Sequence, residues 1–199
     1  MTARRADSGT TDVRGAILEA ATALFTERGA DGLSMRQIAG EIGYSATTIY
    51  LHFKDKDALM LAVCGSGFDE FGATLERAAR SAPTPLEGLY ASADAYVSFA
   101  LSNPMLYDVM FIRPRKWAIT APGDPESFRG LTGLVAATMA TGGIRQGDAR
   151  EVAAQVWSVL HGAVSLGLVF GDQITICEPD AVARRSRVLV AALLESLAP

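Results

Sequence analysis

The chain has 199 residues and a mass of 21.0 kDa, with 49% hydrophobic and 20% charged residues, 19 Gly and 8 Pro. This composition excludes a disordered, collagen-like or low-complexity chain, and two cysteines, Cys64 and Cys177, are too few for a disulfide-stapled secreted scaffold. The net charge of −4 speaks globally against nucleic-acid binding, yet the residues through Lys56 carry seven basic and seven acidic side chains, so the whole deficit lies beyond them.

Residues 1–11 are polar, lack the apolar run of a signal peptide and are expected to form a flexible arm. Asp12 is placed to cap a first helix, in which Val13, Ile17, Leu18, Ala21, Leu24 and Phe25 recur at helical spacing before Gly29 ends it. Ser34-Met35-Arg36-Gln37 is a capping-box pattern opening a second, short helix with an apolar stripe of Met35, Ile38, Ala39 and Ile42. Gly43 breaks that helix, Ser45 caps a third over Ala46–His52 with Ile49 inward, and Asp55 caps a longer fourth. Short helices joined by a Gly-containing turn predict a helix-turn-helix.

Further on, Pro85 suits the first turn of a helix over Leu86–Leu101, and Asn103-Pro104 interrupts it. A short apolar segment, Met105–Ile112, and a Pro122-Gly123-Asp124-Pro125 loop follow. Helices are predicted over about Glu126–Thr141, Asp148–Phe170 and Asp180–Leu197. No segment alternates well enough to be a strand, so the expected fold is all-α: a three-helix head and a larger helical body. The apolar stretch Val152–Phe170 is interrupted by Gln155, Ser158, His161 and Ser165, which fits a membrane span badly. The expected chain is therefore soluble and cytoplasmic.

The head resembles the TetR family of bacterial transcriptional regulators. The matching residues are Ile17-Leu18, Ala20-Ala21, Leu24-Phe25 and Gly29, then Ser34, Arg36-Gln37-Ile38-Ala39, Gly43-Tyr44-Ser45, Thr48-Ile49-Tyr50, His52-Phe53, Asp55-Lys56 and Leu59. Trp157, His161 and Gly162 are similar to the Trp-His-Gly motif of one class of TetR-like carboxy-terminal domains. The resemblance implies an arm (1–11), a DNA-binding domain (12–56) and a ligand-binding and dimerisation domain (57–199). It also implies operator DNA as a partner, a homodimer joined through the last two helices as a four-helix bundle, and a small-molecule effector.

A helix-turn-helix lays its second helix in the major groove, so Ser45, Ala46, Thr47 and Thr48 are the candidate base readers. Lys56 matches a family phosphate-contact position. Arg36 can reach a phosphate or a base. Tyr50 fits either phosphate contact or packing, and His52 either a backbone contact or a cover over the turn. In the body, Phe99, Tyr107, Met110, Phe111, Trp117, Trp157 and His161 are candidate effector contacts, in company with Phe68, Phe71, Tyr96 and Met105. Such residues line a cavity or fill a core, and His161 is either a polar anchor or a buried, internally satisfied imidazole. Val152, Val156, Leu160, Ala163 and Gly167 on one helix, and Val182, Leu189, Ala192 and Leu193 on the other, are the expected dimer stripes.

No Gly-rich phosphate loop, nucleophile elbow or recognisable pair of carboxylates points to an enzyme, and His161 without ligand-type neighbours is no metal site, so no cofactor is expected. The expected function is a transcriptional regulator, a repressor that an apolar or amphipathic ligand releases from its operator. The rival reading is a helical protein-interaction module, or a ligand-binding protein without DNA activity.

Overall fold

The computed structural model describes residues 12–29, 32–112 and 125–199, and among these it contains helices and turns but no strand. The proposed arm, Trp117 and most of the Pro122–Pro125 loop lie outside the described residues. The chain divides into two compact units, Met1–Val63 and Cys64–Pro199.

In the first unit, α1 (Val13–Arg28), α2 (Met35–Glu41) and α3 (Ala46–His52) are followed by α4 (Lys56–Arg80), which begins here. The caps sit where the residue types demand. Asp12 accepts from the Gly15 amide at 2.9 Å, and Asp55 accepts from the Ala58 amide at 2.8 Å. Gly29 closes α1 at φ +70°, a conformation without penalty only for glycine. Ile17, Leu24, Phe25, Ile38, Ile49, Phe53 and Leu59 form the buried centre, and the Arg14 guanidinium lies over the Phe53 ring at 4.9 Å.

In the second unit, α5 (Pro85–Ser102) opens on a capping box, with Thr84 accepting from the Glu87 amide at 3.2 Å and bonding the Glu87 carboxylate at 2.9 Å. Asn103 closes it, and Pro104 starts the one-turn α6 (Pro104–Tyr107). The predicted apolar segment continues as a π-helical stretch, Asp108–Ile112. Next come α7 (Glu126–Ala140), α8 (Ala149–Phe170, capped by Asp148) and α9 (Pro179–Glu195). α5 packs on α7, α8 and α9, and α8 packs on α7 and α9. α8 is long and apolar enough by composition to cross a membrane, but Val152, Val156, Leu160 and Val164 are buried within this bundle.

The expected dimer stripes need correcting. Val152, Val156, Leu160, Ala163, Gly167 and Val182 are all buried inside their own subunit. Gly167 is small because α9 passes against it: a Cβ there would fall 2.6 Å from Val182 Cγ2. The large solvent-facing apolar side chains of these helices are Trp157, Leu166, Val169 and Phe170 on α8, with Val188 and Leu189 on α9. Of the expected α9 stripe, Leu189 and Ala192 are exposed and Leu193 is half-buried.

Candidate nucleic-acid interface and effector site

Local hydrogen bonding fixes the α2–turn–α3 geometry. Ser34 Oγ accepts from the Gln37 amide at 3.3 Å and donates to Gln37 Oε1 at 2.7 Å, so Gln37 returns to the capping hydroxyl. α2 ends in a Schellman motif: the Tyr44 amide donates to the Ala39 carbonyl at 2.9 Å and the Gly43 amide to the Gly40 carbonyl at 3.4 Å. Gly43 supplies the required φ of +70°. Ser45 then caps α3, its hydroxyl accepting from the Thr48 amide at 3.1 Å and lying 2.9 Å from the Thr48 hydroxyl.

α3 buries one residue, Ile49. Around it Ser45, Thr47, Tyr50 and His52 are exposed and Ala46 and Thr48 half-buried, while Arg36 on α2 is exposed and Lys56 at the start of α4 is half-buried. The eight candidate residues thus sit on the α2–α3 surface and the first position of α4, where they can meet a large partner. The Ser45 and Thr48 hydroxyls already hold each other, so the Thr47 hydroxyl carries less local obligation. Sequence reasoning passed over Leu51, 80% exposed and one turn beyond Thr47 on the same face. With Ile49 inward, an outward Leu51 was readable from the helical period.

Most of the described aromatic residues of the second unit gather into one cluster. Phe71 on α4 stacks edge-to-face with Tyr96, Phe99 and Phe111 at centroid distances of 5.3, 5.2 and 5.4 Å. Tyr107 packs on Phe111 at 4.8 Å, and Trp157 bridges His161 at 5.7 Å and Phe128 at 5.9 Å. At its centre the Tyr107 hydroxyl lies 2.6 Å from the Tyr96 hydroxyl and 2.7 Å from His161 Nδ1, with Tyr96 3.3 Å from the same nitrogen. One chain of two hydrogen bonds satisfies all three groups. Ser165, one turn beyond His161, brings a buried hydroxyl near Tyr107.

Burial sets the protonation states. It pushes Tyr96 up to about 12 and Tyr107 further, and it holds His161 below its ordinary 6.5. Near neutral pH the triad is uncharged. Phe99, Tyr107 and Met110 are buried in the cluster, Phe111 and His161 are half-buried and Trp157 is 40% exposed. Phe71 and Tyr96 belong to the cluster's centre as well. The π-helical stretch carries Met110 and Phe111 into this region, and π turns recur at functional sites.

Residues 17–63 match the family model of bacterial regulatory proteins of the tetR family. Residues 89–193, more than half of the chain, match the model of the tetracyclin repressor-like C-terminal domain. The chain belongs to the TetR family of transcriptional regulators. Membership places it among regulators and not among enzymes. An HTH-type transcriptional regulator from Staphylococcus aureus (strain USA300) is 33% identical over 90 residues, covering 45% of this chain and 49% of that one. The HTH-type transcriptional activator FasR of Mycolicibacterium smegmatis is 31% identical over 98 residues, covering 49% of this chain and 45% of that one. The chain thus spans about half the length of the curated relatives it matches. A solved structure from Rhodococcus sp. RHA1, of a protein with unknown function, is 29% identical with a TM-score of 0.76, covering 99% of this chain and 100% of that one. In this TetR-family chain the match over 17–63 takes in α2 and α3, and the match over 89–193 takes in Tyr96, Tyr107 and His161.

Proposed function

We propose that this TetR-family chain acts in the cytoplasm as a homodimeric repressor that binds operator DNA and is released by a neutral, apolar or amphipathic small molecule. The observation that carries the proposal is α3, a helix with one buried residue in seven, rigidly capped and projecting Thr47, Tyr50 and His52. Ser45–Thr48 would read base edges, and Arg36, Tyr50, His52 and Lys56 would hold the phosphate backbone. A single short helix binds weakly, and joining two copies makes the second contact intramolecular. The exposed Leu166, Val169, Phe170, Val188 and Leu189 support a self-association face on α8 and α9.

For the effector, the uncharged Tyr96–Tyr107–His161 triad supports a ligand with one hydrogen-bonding group and an aromatic or aliphatic body. α4 starts at Lys56 in the first unit and ends at Arg80 in the second, which gives ligand binding a covalent route to the DNA-contacting helices. A ligand releases DNA only if it binds the released conformation better.

The test is to select bound fragments from genomic DNA with the full chain, then to titrate the recovered site against salt by fluorescence anisotropy. Phosphate contact demands a steep, log-linear fall in affinity, and Lys56→Ala should weaken binding to all sequences and reduce the slope by about 1. Thr47→Ala should change preference among sequences. Salt-independent binding, or none, overturns the reading. Transcription of the gene beside the recovered site in a deletion strain then assigns the sign of regulation.

A further inference from the structure

A separate cleft of about 230 Å³ lies in the second unit between α5, α8 and α9. Its wall is mainly apolar, made by Tyr90 and Ala93 on α5, Leu160 on α8 and Val190 and Ala191 on α9. Two features make it more than a packing gap. Ser186 on α9 lines it and is only 2% exposed, and its hydroxyl is buried without a hydrogen-bond partner, a condition that is unfavourable until a partner arrives. Asp94 and Arg187 also line the cleft and join across α5 and α9 at 2.6 Å, so its only two charged groups neutralise each other.

We propose that this cleft is a second small-molecule site, taking a neutral compound with an apolar body and one carbonyl group that accepts from the Ser186 hydroxyl. An apolar cavity of about 150 Å³ holds benzene, so this cleft suits a single ring bearing a short substituent, about ten non-hydrogen atoms. A charged ligand is disfavoured, because it would have to break the Asp94–Arg187 pair to be neutralised. The site is centred away from the aromatic cluster: Tyr90 and Asp94 occupy a different face of α5 from Tyr96 and Phe99, with Ala93 between the two. It rests on none of the DNA-binding argument.

The probes are acetophenone, a ring with one carbonyl, and ethylbenzene, its counterpart without the oxygen. Each is titrated into the full chain and followed by NMR at the methyl groups of Ala93, Leu160 and Ala191. Saturable shifts at these residues are expected with both. Ser186→Ala, which removes an unpaired hydroxyl and should leave the melting temperature unchanged or raised, should lower the acetophenone-to-ethylbenzene affinity ratio by about two- to tenfold. Ala191→Met, at the half-buried edge, should fill the cleft and abolish both responses. Shifts centred on Tyr107 and His161, no saturable shift at the three methyl groups, or a ratio unchanged by Ser186→Ala would each overturn the proposal.

Discussion

α3 and α5 make opposite uses of similar side chains. α3 holds a tyrosine, a leucine and a histidine and leaves all three exposed, with Tyr50 at 53% and Leu51 at 80%. α5 holds Tyr96 and Phe99 and buries both, closing the Tyr96 hydroxyl against Tyr107. Aromatic and apolar residues are normally costly at a surface, so their retention on α3 points outward to a partner, whereas on α5 the same chemistry builds the interior. Under the proposed function, stability and recognition fall to different helices.

Substitutions can break that contrast. The largest effect belongs to Phe71→Ala, which removes the ring shared by Tyr96, Phe99 and Phe111 and should cost about 3–5 kcal/mol in denaturant unfolding. Tyr107→Phe should cost about 1–3 kcal/mol, because it strips the hydroxyl joining Tyr96 to His161 while leaving the ring in place. A loss as small as that of a surface change would show that the triad is not a buried network.

His161 adds a pH signature. Burial lowers its folded-state pKa below 6.5, so between that lower value and 6.5 the unfolded chain binds more protons. Its contribution is complete above pH 6.5 and is lost as the pH falls, so melting temperatures from pH 7.5 to 5.5 should decline less steeply in His161→Gln than in the parent. The smallest effect belongs to Leu51→Ala, which should change stability by no more than about 0.5 kcal/mol. A loss of several kcal/mol there would place Leu51 in the core and undo the contrast.

Features fixed by near neighbours were the legible ones. Asp12, Ser34, Ser45 and Asp55 cap the helices they precede, and Gly43 adopts the left-handed conformation its place after Ile42 calls for. Features set by partners distant in sequence were not. α8 is apolar on two sides, and it is the packing of α5, α7 and α9, with Val182 against Gly167, that turns Val152, Val156, Leu160, Ala163 and Gly167 inward and Leu166 and Val169 outward. The aromatic candidates were recognisable as a class, but their convergence on Phe71 needs α4, α5 and the 107–111 stretch to meet. The π geometry of Asp108–Ile112 has no signature in its residue types.

That π geometry bears on how such chains diverge by insertion and deletion. A π turn accommodates one residue more than an α turn, so excising a single residue between Asp108 and Ile112 would let the segment rewind to the tighter spiral. The rewound turn would absorb the missing residue, so the chain on either side of it would keep its register. A one-codon deletion here would then be tolerated where the same deletion inside α5 or α8 would turn every following side chain by about 100°.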